Sequence, residues 1–167
     1  MTSSDTTGRS VLIWVCEGTW RASVDAGLSL APAGARYTLL HVTAAEVADA
    51  AHGAYLGMFG RGGRDPGARL DELATASASD LLEAAADRLG RDCDKAEING
   101  PAERSVVAAS AQADLLVMAR DGDRSRLGPR SLGKAARFVV DHAACPVLLV
   151  WPESVPGIGT IAPPGAG

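Results

Sequence analysis

The sequence predicts a single α/β domain in which a mainly parallel sheet is covered by helices on both faces. Three observations lead there. Short continuous apolar runs at 11–15, 115–118 and 147–150 mark strands buried on both faces, not strands with one wet side. Segments with helical spacing separate these runs, the alternation that βαβ units require. The changes of period fall at glycine and proline, in Pro32-Ala33-Gly34, Gly100-Pro101 and Cys145-Pro146. At 167 residues the chain is long enough for one domain with a real core.

Taken in order, residues 1–9 are polar and are expected to be a flexible N-terminus. Val11-Leu12-Ile13-Trp14-Val15 is the first strand, and Ala22, Ala26 and Leu30 carry a helix to the Pro32-Ala33-Gly34 stop. Tyr37-Thr38-Leu39-Leu40-His41-Val42 is the second strand. Residues 44–67 read as an irregular, glycine-rich connection, with 52–67 a candidate lid or a plain loop. A long helix follows over about 70–89, with Leu70, Leu73, Leu81, Leu82, Ala85 and Leu89 on one side. Lys95-Ala96-Glu97-Ile98-Asn99 is a weak third strand. Gly100-Pro101-Ala102-Glu103 starts the next helix, with proline early and a carboxylate in the first turn, where the helix dipole favours it. The fourth strand is Leu115-Leu116-Val117-Met118, the last helix covers about 133–142, and Val147-Leu148-Leu149-Val150 is the fifth strand. The domain is thus expected over 10–151. Residues 152–167, with four prolines and four glycines, are expected to form a flexible tail.

Composition narrows the function. A net charge of −4 and a pI near 5.3 argue against a nucleic-acid surface. No apolar run approaches the roughly 20 residues that span a bilayer, and no secretion signal opens the sequence. Cys16, Cys93 and Cys145 are odd in number with no C-x-x-C, which fits a reduced cytoplasm; no metal is predicted, since His41, His52 and His142 lack ligand spacing. Aromatic residues are only 4% of the chain, so Val, Leu, Ile and Ala must build the core.

The stretch from Ala119 to Lys134 is the candidate site. It joins a strand to a helix and holds Arg120, Arg124, Arg126, Arg130 and Lys134 against Asp121 and Asp123. Free N–H groups of Gly133 and Lys134 at a helix N-terminus, beside cations, suit phosphate oxygens. The competing reading makes the arginines a solvated face and the glycines turn formers. Residues 128–135 also imitate a P-loop, but Ala135 stands where a magnesium-binding hydroxyl belongs.

Gly100-Pro101-Ala102-Glu103, Asp114-Leu115-Leu116-Val117-Met118 and the ending Asp141-His142-Ala143-Ala144-Cys145-Pro146-Val147-Leu148-Leu149-Val150 resemble the universal stress protein family. The resemblance implies a three-layer open sheet of order 3-2-1-4-5, related to adenine nucleotide alpha hydrolases, and a homodimer through the fifth strand, here Val147 to Trp151. Some members of that family bind ATP or AMP and others bind no nucleotide, so the resemblance implies ATP or AMP as the candidate ligand. Glu17, Gly18 and Thr19 would meet the ribose, the Val42 backbone the base, and a Gly-x-x-Gly-x9-Gly-Ser/Thr loop the phosphates. Here that loop reads Ala119-x-x-Gly122, then ten residues, then Gly133-Lys134. Ala119, Gly122, Gly128, Arg130, Ser131, Gly133 and Lys134 are its candidate ligand contacts. In an open parallel sheet of that order, the loops after the first and fourth strands flank one crevice.

Other residues weigh less. Cys16 is a candidate thiolate or a small buried residue, His142 a candidate titrating group or a stabiliser of its helix end, His41 a satisfied strand histidine, and Trp14 and Trp151 packing or interface residues. No catalytic constellation can be assembled, so the expectation is a cytoplasmic, dimeric, non-enzymatic stress-type protein binding a phosphorylated ligand. The alternatives are a dimeric protein-interaction module without nucleotide and a nucleotide hydrolase.

Overall fold

The computed structural model describes residues 8–44 and 66–163, with the backbone alone over 66–76. Its strands are β1 (Ser10–Trp14), β2 (Arg36–Thr43), β3 (Cys93–Asn99), β4 (Leu115–Ala119) and β5 (Val147–Val150). Its helices are α1 (Trp20–Leu30), α2 (Pro66–Leu89), α3 (Ala102–Ser110) and α4 (Lys134–His142). The strands form one parallel sheet in the order β3-β2-β1-β4-β5, with Ile13 opposite Leu39 on one side and Val117 on the other. The expected architecture and strand order are therefore found.

The alternation of side chains along the strands divides the core into two layers. Val11, Ile13 and Val15 of the first strand segment face one way and pack with Leu39, Val117, Trp20 and Val24 of α1, and Leu82, Ala85 and Leu89 of α2. Leu12 and Trp14 face the other way, against Leu40, Leu116 and Met118 and against Val106 of α3 and Ala136 and Val139 of α4. This double burial explains why the runs at β1 and β4 are continuously apolar. Trp14 is accordingly a core residue.

Helix α1 buries Trp20, Ser23, Val24 and Gly27, the i, i+3, i+4, i+7 stripe of an amphipathic helix. The expected stripe through Ala26 and Leu30 is displaced: Leu30 is 64% exposed. Gly27 lets the helix lie close to β1, since a Cβ there would stand 2.8 Å from Ile13 Cδ1. Helix α2 begins earlier than expected, and β3 is longer. The candidate lid at 52–67 lies outside the described residues except for its last two positions, Pro66 and Gly67, which are already helical.

Beyond Trp151 the described chain has defined contacts instead of running free. It forms a short 3-10 turn at Ile158–Thr160, where Thr160 Oγ1 accepts the Leu127 N–H at 3.0 Å. Glu153 pairs with Arg124 at 3.3 Å. The segment therefore lies over the loop that follows β4.

Candidate functional site

The sheet order puts the chain reversal at β1 and β4, neighbours in the middle of the sheet. Their carboxyl ends open into a crevice, the usual ligand position of such sheets. Residues 16–19 follow β1 and 119–134 follow β4 at these ends, with the end of β2 on the other side of β1.

The first segment turns at once. Cys16 O accepts the N–H groups of Thr19 and Trp20 at 3.2 and 3.0 Å, and Gly18 takes φ of +78°, which suits glycine. Glu17 and Gly18 are left exposed, while Thr19 is buried. Burial pushes the Cys16 thiol up to about 12, with the nearby charge of Asp121 adding to the effect. Cys16 is therefore a neutral thiol and not a nucleophilic thiolate.

The β1–β2 ladder ends beside it. Val15 N–H donates to Leu40 O at 2.8 Å, and Val15 O accepts His41 Nδ1–H at 2.8 Å. His41 is thus satisfied by main chain. Because strand backbone groups alternate between edges, Val42 turns its N–H and C=O to the same edge as Leu40, beyond the last paired residue of β1. Thr43 faces β3, where its carbonyl accepts Gly100 N–H at 3.0 Å.

Beside these ends lies a cavity of about 440 Å³, the size of a small-molecule site, lined by Glu17, Trp20, Arg21, His41 and Thr43 and by residues of α2 including Asp80 and Leu81. Thr43 Oγ1 is buried without a hydrogen-bond partner among the described residues. Of the residues singled out from the sequence, Glu17 lines this cavity, while Val42 and the 119–134 segment are not among its described lining residues. Sequence reasoning misses Trp20, Arg21 and Thr43, whose helical or strand positions give no sign that α2 closes a cavity over them.

The segment after β4 folds back on itself. Gly122 N–H donates to Ser131 O at 3.0 Å and Asp123 N–H to Arg130 O at 2.8 Å. A Cβ on Gly122 would stand 2.3 Å from Arg130 O, so only glycine fits. Gly128 takes φ of +132° and leads the short turn Pro129–Ser131. Ala119 is the buried last residue of β4.

Several expectations for this loop need correction. The Gly133 N–H is not free: it donates to Asp121 Oδ1 at 2.7 Å. Ser131 is fully buried, and its hydroxyl donates to Gly128 O and accepts from Arg120, so it offers nothing to a ligand. Nor do the cations converge. The Arg120 guanidinium lies 4.7 Å over the Trp151 ring, Arg124 pairs with Glu153, and Arg126 pairs with Asp123 at 3.4 Å. Lys134 lines a shallow groove on the outer side of α4 with Arg137, Phe138 and His142. Arg130 is exposed and enters no ion pair among the described residues. His142 closes α4, donating to Phe138 O at 2.8 Å and stacking on its ring.

Among the described residues no group of three or more His, Cys, Asp or Glu side chains is placed to hold a metal, and no helix is long and apolar enough to cross a membrane.

Comparison with known proteins gives this geometry its context. A sequence profile of the universal stress protein family matches residues 21–150. No curated protein matches the chain in sequence. Among solved structures, a hypothetical protein determined as a structural-genomics test case is similar with a TM-score of 0.67 and 16% identity, over 87% of this chain and 97% of that one. A universal stress protein solved in complex with cAMP gives 0.59 and 19%, over 87% and 98%. A universal stress protein family member from Arabidopsis thaliana, solved with AMP bound, gives 0.51 and 16%, over 95% and 98%. At these identities the structural likeness speaks for the fold alone.

Proposed function

The chain belongs to the universal stress protein family, and from that premise we propose that it is a regulatory protein that binds an adenine nucleoside or nucleotide such as AMP or ATP. The base and ribose occupy the cavity at the ends of β1 and β2, and any phosphate points toward the 119–134 loop. The observation that carries this reading is the edge of Val42, left unpaired by β1 among the described residues, between His41 and Thr43, which line a 440 Å³ cavity. An adenine presents a donor and an acceptor along one edge, which a strand's outward N–H and C=O can meet. The exposed Glu17 carboxylate accepts from ribose hydroxyls, and Thr43 Oγ1, without a partner among the described residues, gives a second polar contact. Two of the structures similar to this chain were solved with cAMP and with AMP, which supports the ligand class. The reading is one of binding without turnover, in keeping with a Cys16 thiol held neutral.

Isothermal titration of the full chain with adenosine, AMP and ATP tests it. Binding with a dissociation constant below about 1 mM, weakened in Glu17→Gln, is expected. Absence of heat and of any thermal shift at about that concentration refutes it.

A second reading draws on the sheet edge. β5 is an outer strand whose Val147, Leu148, Leu149 and Val150 are all only half-buried. Such an apolar edge invites pairing with another chain. We propose that a second copy covers it, giving a homodimer through Val147 to Trp151 in the cytoplasm, and that this dimer also serves protein interaction. Sedimentation of Leu149→Pro, which removes an edge donor, should show monomer where the parent shows dimer.

A further inference from the structure

We propose that Asp121 is a built-in anion: its carboxylate occupies the phosphate end of the crevice and makes the site select uncharged, nucleoside-type ligands over phosphorylated ones. The proposal deepens the function given above and rests on its placement of the phosphate end.

The position of the carboxylate carries the inference. Asp121 lies two residues beyond β4, and its Oδ1 accepts the Gly133 N–H at 2.7 Å. A Cβ on Gly133 would lie 3.0 Å from both carboxylate oxygens and 3.1 Å from the carboxylate carbon. The group therefore rests directly against the residue that opens α4. Gly133 has no side chain to cap that helix itself, and the first turn of α4 presents N–H groups without a side-chain cap among the described residues, at the positive end of the helix dipole. Asp121 sets its negative charge beside them, bonded to the Gly133 N–H that precedes the helix. Its charge also acts on the Cys16 thiol after β1.

A phosphate seated on the same N–H groups must take the place of this carboxylate or sit beside it. Either way it meets a like charge. Three of the five loop cations do little to offset this, which leaves the exposed Arg130 and Lys134 as the only partial counterweight among the described residues. Arg120 is turned to Trp151, Arg124 is held by Glu153, and Arg126 is held by Asp123. An uncharged base and ribose, bound by Glu17, Val42 and Thr43, meet none of this repulsion. Asp121 is exposed, so water and salt screen its charge, and it competes with a phosphate without excluding it. Its removal is therefore expected to raise phosphate affinity about tenfold, not without limit.

The test follows backbone amides by NMR in the full chain, with inorganic pyrophosphate as the first probe and AMP and adenosine as the second. In Asp121→Ala, pyrophosphate should shift the Gly133 and Lys134 amides saturably, about tenfold or more tighter than in the parent. Asp121→Asn keeps an oxygen for the Gly133 N–H but drops the charge, and should fall between. The preference for adenosine over AMP should shrink by the same factor. Pyrophosphate binding at Gly133 that is equally tight in parent and variants overturns the proposal, as does its absence from both variants. If the alanine variant does not fold, the asparagine variant decides alone. Failure of the nucleoside assignment shows separately, as adenosine leaving the Val42 and Thr43 amides unmoved.

Discussion

Gly122→Ala probes the loop that shapes the phosphate end. A Cβ at this position would stand 2.3 Å from Arg130 O, 2.8 Å from the Ser131 carbonyl carbon and 2.9 Å from that of Leu132. All three are backbone atoms, so no side chain can swing aside. The chain then has two routes. It can keep the loop closed and carry the overpacking, which costs about 1–3 kcal/mol in comparable settings. Or it can open the loop, losing the Gly122–Ser131 and Asp123–Arg130 hydrogen bonds at roughly 1 kcal/mol each. The cheaper route sets the loss, so about 2 kcal/mol is expected. For a chain of this length that corresponds to a fall in melting temperature of about 4–8 °C. Urea unfolding of the variant, with Gly159→Ala as control, measures it. Gly159 has ordinary φ, and a methyl group added there would meet nothing within 4 Å, so its substitution should stay within about 0.5 kcal/mol of the parent. If Gly122→Ala also stays within that margin, the loop does not fold back on residue 122 as described.

The tail contact predicts that a chain ending at Trp151 loses hydrogen-exchange protection at the Leu127 amide, while amides of β1 and β4 keep theirs; unchanged protection at Leu127 would contradict the Thr160 contact. The Cys16 thiol should resist alkylation near pH 8 in the folded protein and react once denatured. Its acidity also has a stability consequence. The folded value of about 12 lies above the ordinary thiol value of 9.0, so this contribution is complete below about pH 9 and is lost as the pH climbs toward 12; Cys16→Ser should flatten that alkaline fall. Asp25 behaves oppositely. The Arg88 guanidinium, donating at 2.7 Å to each carboxylate oxygen, holds its carboxyl below the ordinary range, so its contribution is present above about pH 4 and lost on acidification. Asp25→Asn should weaken the acid dependence of unfolding, with only a small effect because the pair is solvent-exposed.

The fold was legible because its signals are local and redundant. β1 and β4 must be apolar on both faces, and that requirement shows in the sequence as unbroken runs. Gly100-Pro101 and Cys145-Pro146 punctuate helices and strands where the backbone demands it. The amphipathic stripe of α1 was misplaced for a definable reason: a glycine, Gly27, and a serine, Ser23, stand on its buried face, and neither looks like core in a reading by hydrophobicity. The candidate site was legible in position but not in detail. Strand order alone brings 16–19 and 119–134 together. Which way each arginine turns depends on partners distant in sequence, such as Trp151 for Arg120 and Glu153 for Arg124, and no local pattern encodes that. The Asp121 contact with Gly133 spans twelve residues of irregular chain, so a carboxylate that reads as one more charge in a mixed loop becomes, once folded, the occupant of the helix end.

A crystal structure of the chain grown with adenosine tests the central claim most directly. The account predicts ligand density in the cavity beside β1 and β2, with the base edge against the Val42 main chain, the ribose at Glu17, and the Asp121 carboxylate still on Gly133. Density at another place, or a cavity left empty at saturating ligand, contradicts it.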